Sequence, residues 1–166
     1  MLSTLHTNNA VATVGRLLDM GLEPYLLASS VVGIVAQRLV RKICSTCRME
    51  VQTPPTMRAM FRDGEFGSYF RGRGCHDCRG TGFQGRLGIY EILEMRENIC
   101  ELVLTRAPDI RFHEAARSNG MVSMREECLA LVGRGETTLE EVLRVTHDWR
   151  PASGSQDMRA RGDRTA

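Results

Sequence analysis

The chain has 166 residues, which is enough for one hydrophobic core together with a small metal-bound insert. Its 22 basic and 20 acidic residues leave a net charge of +2, a balance that gives no support to nucleic-acid binding. The longest apolar stretch, residues 25–36, is shorter than the about 20 residues that a membrane span needs, so we expect no direct membrane insertion.

The first elements in chain order are a strand end and a helix. Residues 1–5 have the pattern of a short strand, and Asn8 or Asn9 can then cap a helix that Gly21 ends. The apolar residues of this helix fall on one face: Val11, Val14, Leu17 and Leu18.

A second, mostly buried helix is predicted to begin at Pro24, because proline suits the first turn and apolar residues recur at helical spacing behind it. These apolar residues are Leu27, Val31, Ile34, Val35 and Leu39. Residues 38–43 are expected to become extended and to deliver Cys44.

Two cysteine pairs of the form C-x-x-C follow, and they comprise Cys44, Cys47, Cys75 and Cys78. Two intervening residues let both sulfurs of a pair face a centre about 2.3 Å away, and two pairs complete a tetrahedral shell. Four thiolates leave no open position for catalysis, so we predict a structural zinc site. Six cysteines without a recognisable export signal fit a reducing compartment. Cys100 and Cys128, outside the pairs, are predicted to be buried thiols on helices.

The segment between the pairs is rich in glycine and proline, which predicts turns, little regular core and at most a short helix near 56–62. We expect zinc to organise this segment, because apparent binding energies on the order of 10 kcal/mol can fold a region with little apolar content. His76 lies inside a complete pair and is predicted to face solvent.

Alternation around Leu87, Ile89 and Glu91 predicts a strand or hairpin behind the second pair. Helices are predicted at 98–106, 109–118, 124–132 and 139–145. Thr138 and Glu141 have the spacing of a capping box at the start of the last helix. The polar, aperiodic end of the chain, 149–166, is predicted to be a disordered tail.

His6 lies beside Ser3, Thr4 and Thr7 at a predicted strand-to-helix junction, where backbone amides can meet an anion. Local chemistry alone favours a structural histidine. A phosphate-binding loop needs a lysine after glycine, whereas the one lysine, Lys42, follows arginine. The chain is therefore not expected to hydrolyse ATP unaided.

Four stretches resemble the ATPases of type II secretion and type IV pilus assembly. They are Leu2–Asn8, Gly21–Arg41, Gly82–Glu91 and Thr137–Thr146, and with the cysteine pairs they extend the resemblance from Met1 to about Thr146. The resemblance implies an α/β fold, namely the C-terminal part of a RecA-like ATPase domain with a tetracysteine insert and a C-terminal helical bundle. The phosphate loop and the magnesium-binding acids of the family would lie upstream of Met1.

The resemblance also implies a role. Such motors are cytoplasmic homo-hexamers, peripheral to the inner membrane, that dock on an inner-membrane platform and on other secretion or pilus proteins. The residue matching His6 approaches the terminal phosphate of the nucleotide, and the cysteines matching Cys44, Cys47, Cys75 and Cys78 hold zinc. Retraction motors lack these cysteines, so secretion or assembly is favoured. ATP and magnesium are expected only in the complete protein.

Four regions are predicted: 1–43, the end of the ATPase core with two helices; 44–82, the zinc insert; 83–148, a strand and helical subdomain; and 149–166, the tail. Asn9 and Cys128 depart from the usual aspartate and glycine of the family.

Two other interpretations remain open. One is a freestanding zinc-stabilised adaptor of the same machinery, and the other is a co-chaperone-like zinc module, suggested by the C-x-x-C-x-G-x-G stretch at 75–82.

Overall fold

The computed structural model describes residues 1–52 and 69–146. The elements in chain order are α1 (Ala10–Asp19), α2 (Pro24–Ser30), β1 (Gly33–Ile43), β2 (Arg48–Val51), β3 (Tyr69–Gly72), β4 (Phe83–Glu94), α3 (Glu97–Leu104), α4 (Asp109–Ser118), α5 (Met124–Gly133) and α6 (Leu139–Val145). The helix predicted near 56–62 and the tail predicted at 149–166 lie outside the described residues.

A long antiparallel ribbon of β1 and β4 is the backbone of the fold. Its register runs from Gly33 opposite Glu94 to Arg41 opposite Arg86 and then shifts, so that Ile43 lies opposite Phe83. Side chains alternate between two faces because successive residues of a strand point to opposite sides. One face buries Val40, Ile89 and Leu93 against helices, whereas the other exposes a row that comprises Val35, Leu39, Tyr90 and Ile92.

The second predicted helix is correct at its start and wrong in its length and in its burial, since Leu27 is the one buried residue of α2. It begins at Pro24 as expected but ends at Ser30, and the residues from Gly33 onward form β1. Branched residues at Val31, Val32 and Ile34 favour extended structure, and the pairing of ten residues of β1 with β4 outweighs the helical spacing. The prediction that 38–43 are extended and deliver Cys44 is confirmed.

The strand predicted at residues 1–5 is wrong, because within 1–52 and 69–146 no segment pairs with it and these residues adopt no regular structure. The helix behind it is confirmed. Asn9 caps α1 by accepting a 2.7 Å hydrogen bond from the amide of Ala12, and Gly21, with φ of 88°, follows its end.

Two hydrophobic clusters divide the inner face of the ribbon. The first joins α1–α4 to the ribbon end at Leu93 and contains Ala10, Val11, Val14, Leu27, Ile99, Val103, Phe112 and Ala116. The second joins α5, α6 and β3 to the ribbon at Val40 and Ile89 and contains Tyr69, Met124, Cys128, Leu131, Val132, Leu139 and Val142. Each helix is therefore held by burial of its apolar face, which is the main source of helix stability in proteins.

The four C-terminal helices were predicted, and α4 and α6 have the expected bounds. The predicted capping box of Thr138 and Glu141 is wrong, since Thr138 makes no side-chain hydrogen bond to the helix start. A capping box occurs instead at α5, where Ser123 and Glu126 satisfy each other's backbone amides.

Glu141 does not cap the last helix. It is fully buried and binds the end of β1 instead. Its carboxylate accepts the amide of Arg41 at 2.7 Å and the Arg41 Nε at 2.9 Å, and Arg144 donates to both oxygens. The hydroxyl of Thr137 donates to the carbonyl of Arg41, and the amide of Ile43 donates to Glu136. These bonds fix the end of β1 just before Cys44.

Glu141 should make stability depend on pH in acid. Burial acts to raise the pKa of this carboxyl group, but hydrogen bonds from Arg144 and Arg41 outweigh it and lower the pKa from 4.5 to about 2. Because the pKa of Glu141 is lower in the folded chain than in the unfolded chain, its ionised carboxylate stabilises the fold fully above about pH 4.5. This contribution, on the order of 2 kcal/mol, is lost as the pH falls toward about 2. Urea unfolding of the wild type and of Glu141→Gln should show a stability difference that shrinks between about pH 6 and pH 3. A stability difference between the two proteins that does not change with pH would contradict this role of the Glu141 carboxylate.

The structure confirms a mixed α and β chain. The RecA-like core, the helical bundle and the division into four regions stay predictions. Within residues 1–52 and 69–146, no helix combines the length and apolar character needed to cross a membrane.

Candidate metal centre

The four predicted ligands lie at the adjoining ends of the two strand pairs. Cys44 and Cys47 lie in the turn between β1 and β2, and Cys75 and Cys78 lie in the connection between β3 and β4. Because β2 pairs with β3 and β1 pairs with β4, the two connections are brought side by side. The fold thus explains how cysteines distant in sequence meet.

The sulfur atoms have the spacing of a tetrahedral metal shell. The Sγ–Sγ distance is 3.8 Å for Cys44 and Cys75, 3.8 Å for Cys47 and Cys78, and 3.7 Å for Cys75 and Cys78. All four atoms lie within 4.8 Å of one another, and the cysteines are free thiols. Sulfurs about 2.3 Å from a tetrahedral centre would be separated by about 3.8 Å, so the donor set fits one four-coordinate ion. The predicted convergence is confirmed.

Backbone amides orient the second pair. The sulfur of Cys78 accepts hydrogen bonds from the amides of Cys75 at 3.1 Å and Gly82 at 3.2 Å. The amide of Gly80 closes the turn by donating to the carbonyl of Cys75 at 2.9 Å. Amides aimed at a sulfur stabilise its thiolate, the form that binds metal.

Hydrogen bonds tie the two pairs together, and a close contact of Gly72 with Gly82 brings together the two ends of the connection between β3 and β4. The amide of Cys44 donates to the carbonyl of Gly82 at 3.0 Å, and the hydroxyl of Thr46 donates to the carboxylate of Asp77 at 2.9 Å. Gly82, with φ of 76°, also lies so close to Gly72 that a Cβ on Gly72 would collide with its backbone. Sequence reasoning predicted turns from these glycines but not this close approach, which depends on the pairing of distant segments.

The thiols differ in acidity. Burial acts to raise the pKa of Cys78, but the amides of Cys75 and Gly82 and the neighbouring thiols lower it to about 6. Burial, reinforced by the neighbouring thiols, raises the pKa of Cys47 to about 11. The thiolate of Cys78 therefore forms easily near neutral pH, whereas that of Cys47 needs the charge of a cation.

The surroundings favour a structural role for such an ion. Cys44, Cys47 and Cys78 are buried, with at most 5% of each residue exposed, and the hydrophobic cluster at this end of the molecule consists of the cysteines themselves. A shell of four protein ligands has no vacant position for a substrate. A bound cation would supply the cohesion that apolar side chains supply elsewhere.

The other predicted residues lie outside this cluster. His6 is exposed in the segment before α1, and His76 faces solvent as predicted. Cys128 is fully buried, and burial raises the pKa of its thiol to about 12. Cys100 is partly buried on α3. Sequence reasoning assigned no role to Glu91, a buried carboxylate whose only sequence signal is its place in the apolar register of β4.

Comparison with known proteins places the chain among secretion and pilus proteins. A family model described as Type II/IV secretion system protein matches residues 1–144. The Type II secretion system protein HxcR of Pseudomonas aeruginosa is 47% identical over 148 residues, and the Type II secretion system ATPase E of Vibrio cholerae is 39% identical over 150 residues; each alignment covers 89% of this chain. The Type IV pilus assembly ATPase PilB of Thermus thermophilus is 37% identical over 88% of the chain. The chain spans 28%, 30% and 17% of the lengths of these three proteins, respectively.

Proposed function

Because the chain belongs to the type II/IV secretion system protein family, we propose that it is the zinc-stabilised part of a hexameric cytoplasmic ATPase that powers protein secretion or pilus assembly. The observation that carries this proposal is the four-sulfur cluster inside the stretch that the family model matches. Zinc is the preferred ion, since four cysteine sulfurs at this spacing form one of its common structural shells.

Zinc at this centre would hold the two connections together and fix the β2–β3 pair against the ribbon. The chain's own residues then keep the metal-binding end in place. Glu141 fixes the end of β1, the contact of Gly72 with Gly82 closes the connection between β3 and β4, and the hydrogen bond from Cys44 to Gly82 joins the two connections. The role of the centre is thus to maintain shape rather than to carry out chemistry.

ATP hydrolysis belongs to the complete protein in this proposal. No stretch of the sequence has the form of a phosphate-binding loop, so nucleotide and magnesium would be held mainly by residues outside this chain. His6, exposed before the capped start of α1, is proposed to approach the terminal phosphate. Partners would be further copies of the complete ATPase and the platform at the inner membrane.

The proposal is tested with a chimera in which residues 1–148 replace the matching stretch of the Pseudomonas HxcR protein. We expect the chimera to hydrolyse ATP and to restore type II secretion in a strain that lacks HxcR, whereas the 166-residue chain alone has no ATPase activity. His6→Ala should lower kcat in the chimera, and His76→Ala, at another exposed histidine, serves as the control.

Other results would redirect the assignment. A chimera that binds zinc and folds but neither hydrolyses ATP nor supports secretion would contradict a motor role. If the isolated chain then bound the intact motor or its platform, the result would favour the freestanding adaptor. Restoration of pilus assembly but not secretion, in a matching chimera with a PilB protein, would assign the chain to pili.

A further inference from the structure

Glu91 is a buried carboxylate that the proposed function does not use. It lies on the inner face of β4, opposite Ala36 of β1, and is 4% exposed. Isolated charges are rarely buried at this depth, because the loss of hydration is costly unless other groups stabilise the charge. The contacts of its two oxygens therefore indicate what this carboxylate does.

The two oxygens accept from the first residues of two different helices. Oε1 accepts the amide of Ala10 at 2.8 Å, at the start of α1, and Oε2 accepts the amide of Met124 at 3.4 Å, at the start of α5. Each helix start carries roughly half a positive charge, so two of them together balance one carboxylate. Glu91 thereby joins the hydrophobic cluster of α1 to that of α5.

The segment between His6 and α1 has further tethers beside Glu91. The guanidinium of Arg38 donates to the side-chain oxygen of Asn8 at 3.1 Å, and the hydroxyls of Thr7 and Thr13 lie 2.7 Å apart. Arg38 lies two residues along β1 from Ala36, the partner of Glu91, so both charged side chains arise from the same face of the ribbon. The ribbon thus holds the segment that follows His6 at adjacent positions.

We propose that Glu91 is a positioning residue that fixes the His6 segment relative to α5 by capping both helices at once. The inference rests on the proposed function insofar as His6 acts on nucleotide. A carboxylate is required, because glutamine offers one acceptor oxygen and would turn its NH₂ group toward the second amide. Glu91→Gln therefore preserves size while it frees one of the two helix starts.

The first test uses the ATP-hydrolysing chimera described above. Glu91→Gln should lower kcat at least tenfold and leave the KM for ATP within twofold, while Glu94→Gln, at an exposed position of the same strand, should have no effect. In a His6→Ala background, Glu91→Gln should lower kcat no further, since both changes act through one group. An unchanged kcat in Glu91→Gln would overturn the proposal. A kcat in the double variant that falls by the product of the two single fold-changes would do the same.

The second test needs no ATPase activity and uses the 166-residue chain. In NMR spectra, Glu91→Gln should shift the ring signals of His6 and speed amide exchange at Ala10 or Met124 at least tenfold, and Glu94→Gln should do neither. Unshifted His6 signals with both amides still protected would overturn the proposal. A chimera without ATPase activity would contradict the proposed function alone, because this test would still decide the role of Glu91.

Should Glu91→Gln fail to fold, Asn8→Ala replaces it in both tests. This substitution removes the exposed tether to Arg38 without disturbing a buried charge. It should also shift the His6 ring signals and lower kcat several-fold at constant KM for ATP. A variant identical to wild type in both measurements would overturn the role assigned to the tethered segment.

Discussion

Replacing Cys75 by serine is expected to abolish stoichiometric zinc binding and to unfold the metal-binding end of the chain. The thiol of Cys75 lies 3.8 Å from the sulfur of Cys44 and 3.7 Å from that of Cys78, so its loss opens the four-sulfur shell. Apparent binding energies for structural zinc are on the order of 10 kcal/mol, and cysteines form the buried cluster there. Elemental analysis should fall from one zinc per chain to nearly none.

Hydrogen exchange shows whether this loss is local. The amide of Cys44 donates to the carbonyl of Gly82, and the amide of Gly82 donates to the sulfur of Cys78. Both amides should exchange rapidly in Cys75→Ser, whereas the amides of α1 and α4 keep their protection. Cys100→Ser is the matched control, because this cysteine lies on α3 away from the cluster, and it should retain one zinc. Full zinc content in Cys75→Ser, or loss of zinc in the control, would refute the assignment.

Replacing Glu141 by alanine should cause a large loss of stability at a position that contributes no sulfur ligand. Removing this carboxylate should cost about 2–3 kcal/mol, because the amide of Arg41 is left without its acceptor, whereas the guanidinium groups of Arg41 and Arg144 are about half exposed and regain water. Here the amide of Arg41 and the guanidinium of Arg144 would lose their acceptor. Urea unfolding of the zinc-loaded chain measures the difference.

Glu140→Ala is the control for this substitution. Glu140 is an exposed neighbour whose carboxylate accepts the hydroxyl of Tyr69 at 3.0 Å. Its replacement should cost about 1 kcal/mol, the usual value of one hydrogen bond. Equal losses for the two variants would show that the contacts between Glu141 and β1 do not stabilise the fold.

Local patterns were enough to predict the sulfur cluster and most helices. The two-residue spacing of each cysteine pair fixes how its sulfurs point, and capping by Asn9 and termination by Gly21 are decided by neighbours in sequence. The bounds of α4 and α6 were predicted from the spacing of their residues, although the capping box expected at the start of α6 does not form. These elements depend on interactions over a few residues.

Features that depend on distant pairing were wrong or missed. Leu27, Val31, Ile34 and Leu39 fit a helical period, and only the partner strand β4 decides that most of this stretch is extended. The spacing of Thr138 and Glu141 suggested a capping box because the competing donors of Arg41 are remote in sequence. The alternation of Leu87, Ile89 and Glu91 indicated that Glu91 lies on the inner face of β4. Its partners at the starts of α1 and α5 could not be predicted, because both lie far along the chain.

If zinc occupies the cluster of Cys44, Cys47, Cys75 and Cys78, all of its ligands are cysteine sulfurs. X-ray absorption at the zinc edge, on chain purified without added metal and shown to carry one zinc, measures the ligands directly. We expect four sulfur neighbours at about 2.3 Å and no nitrogen or oxygen ligand. A shell that contains histidine nitrogen or water, or fewer than four sulfurs, would show that these cysteines do not form a four-sulfur zinc site.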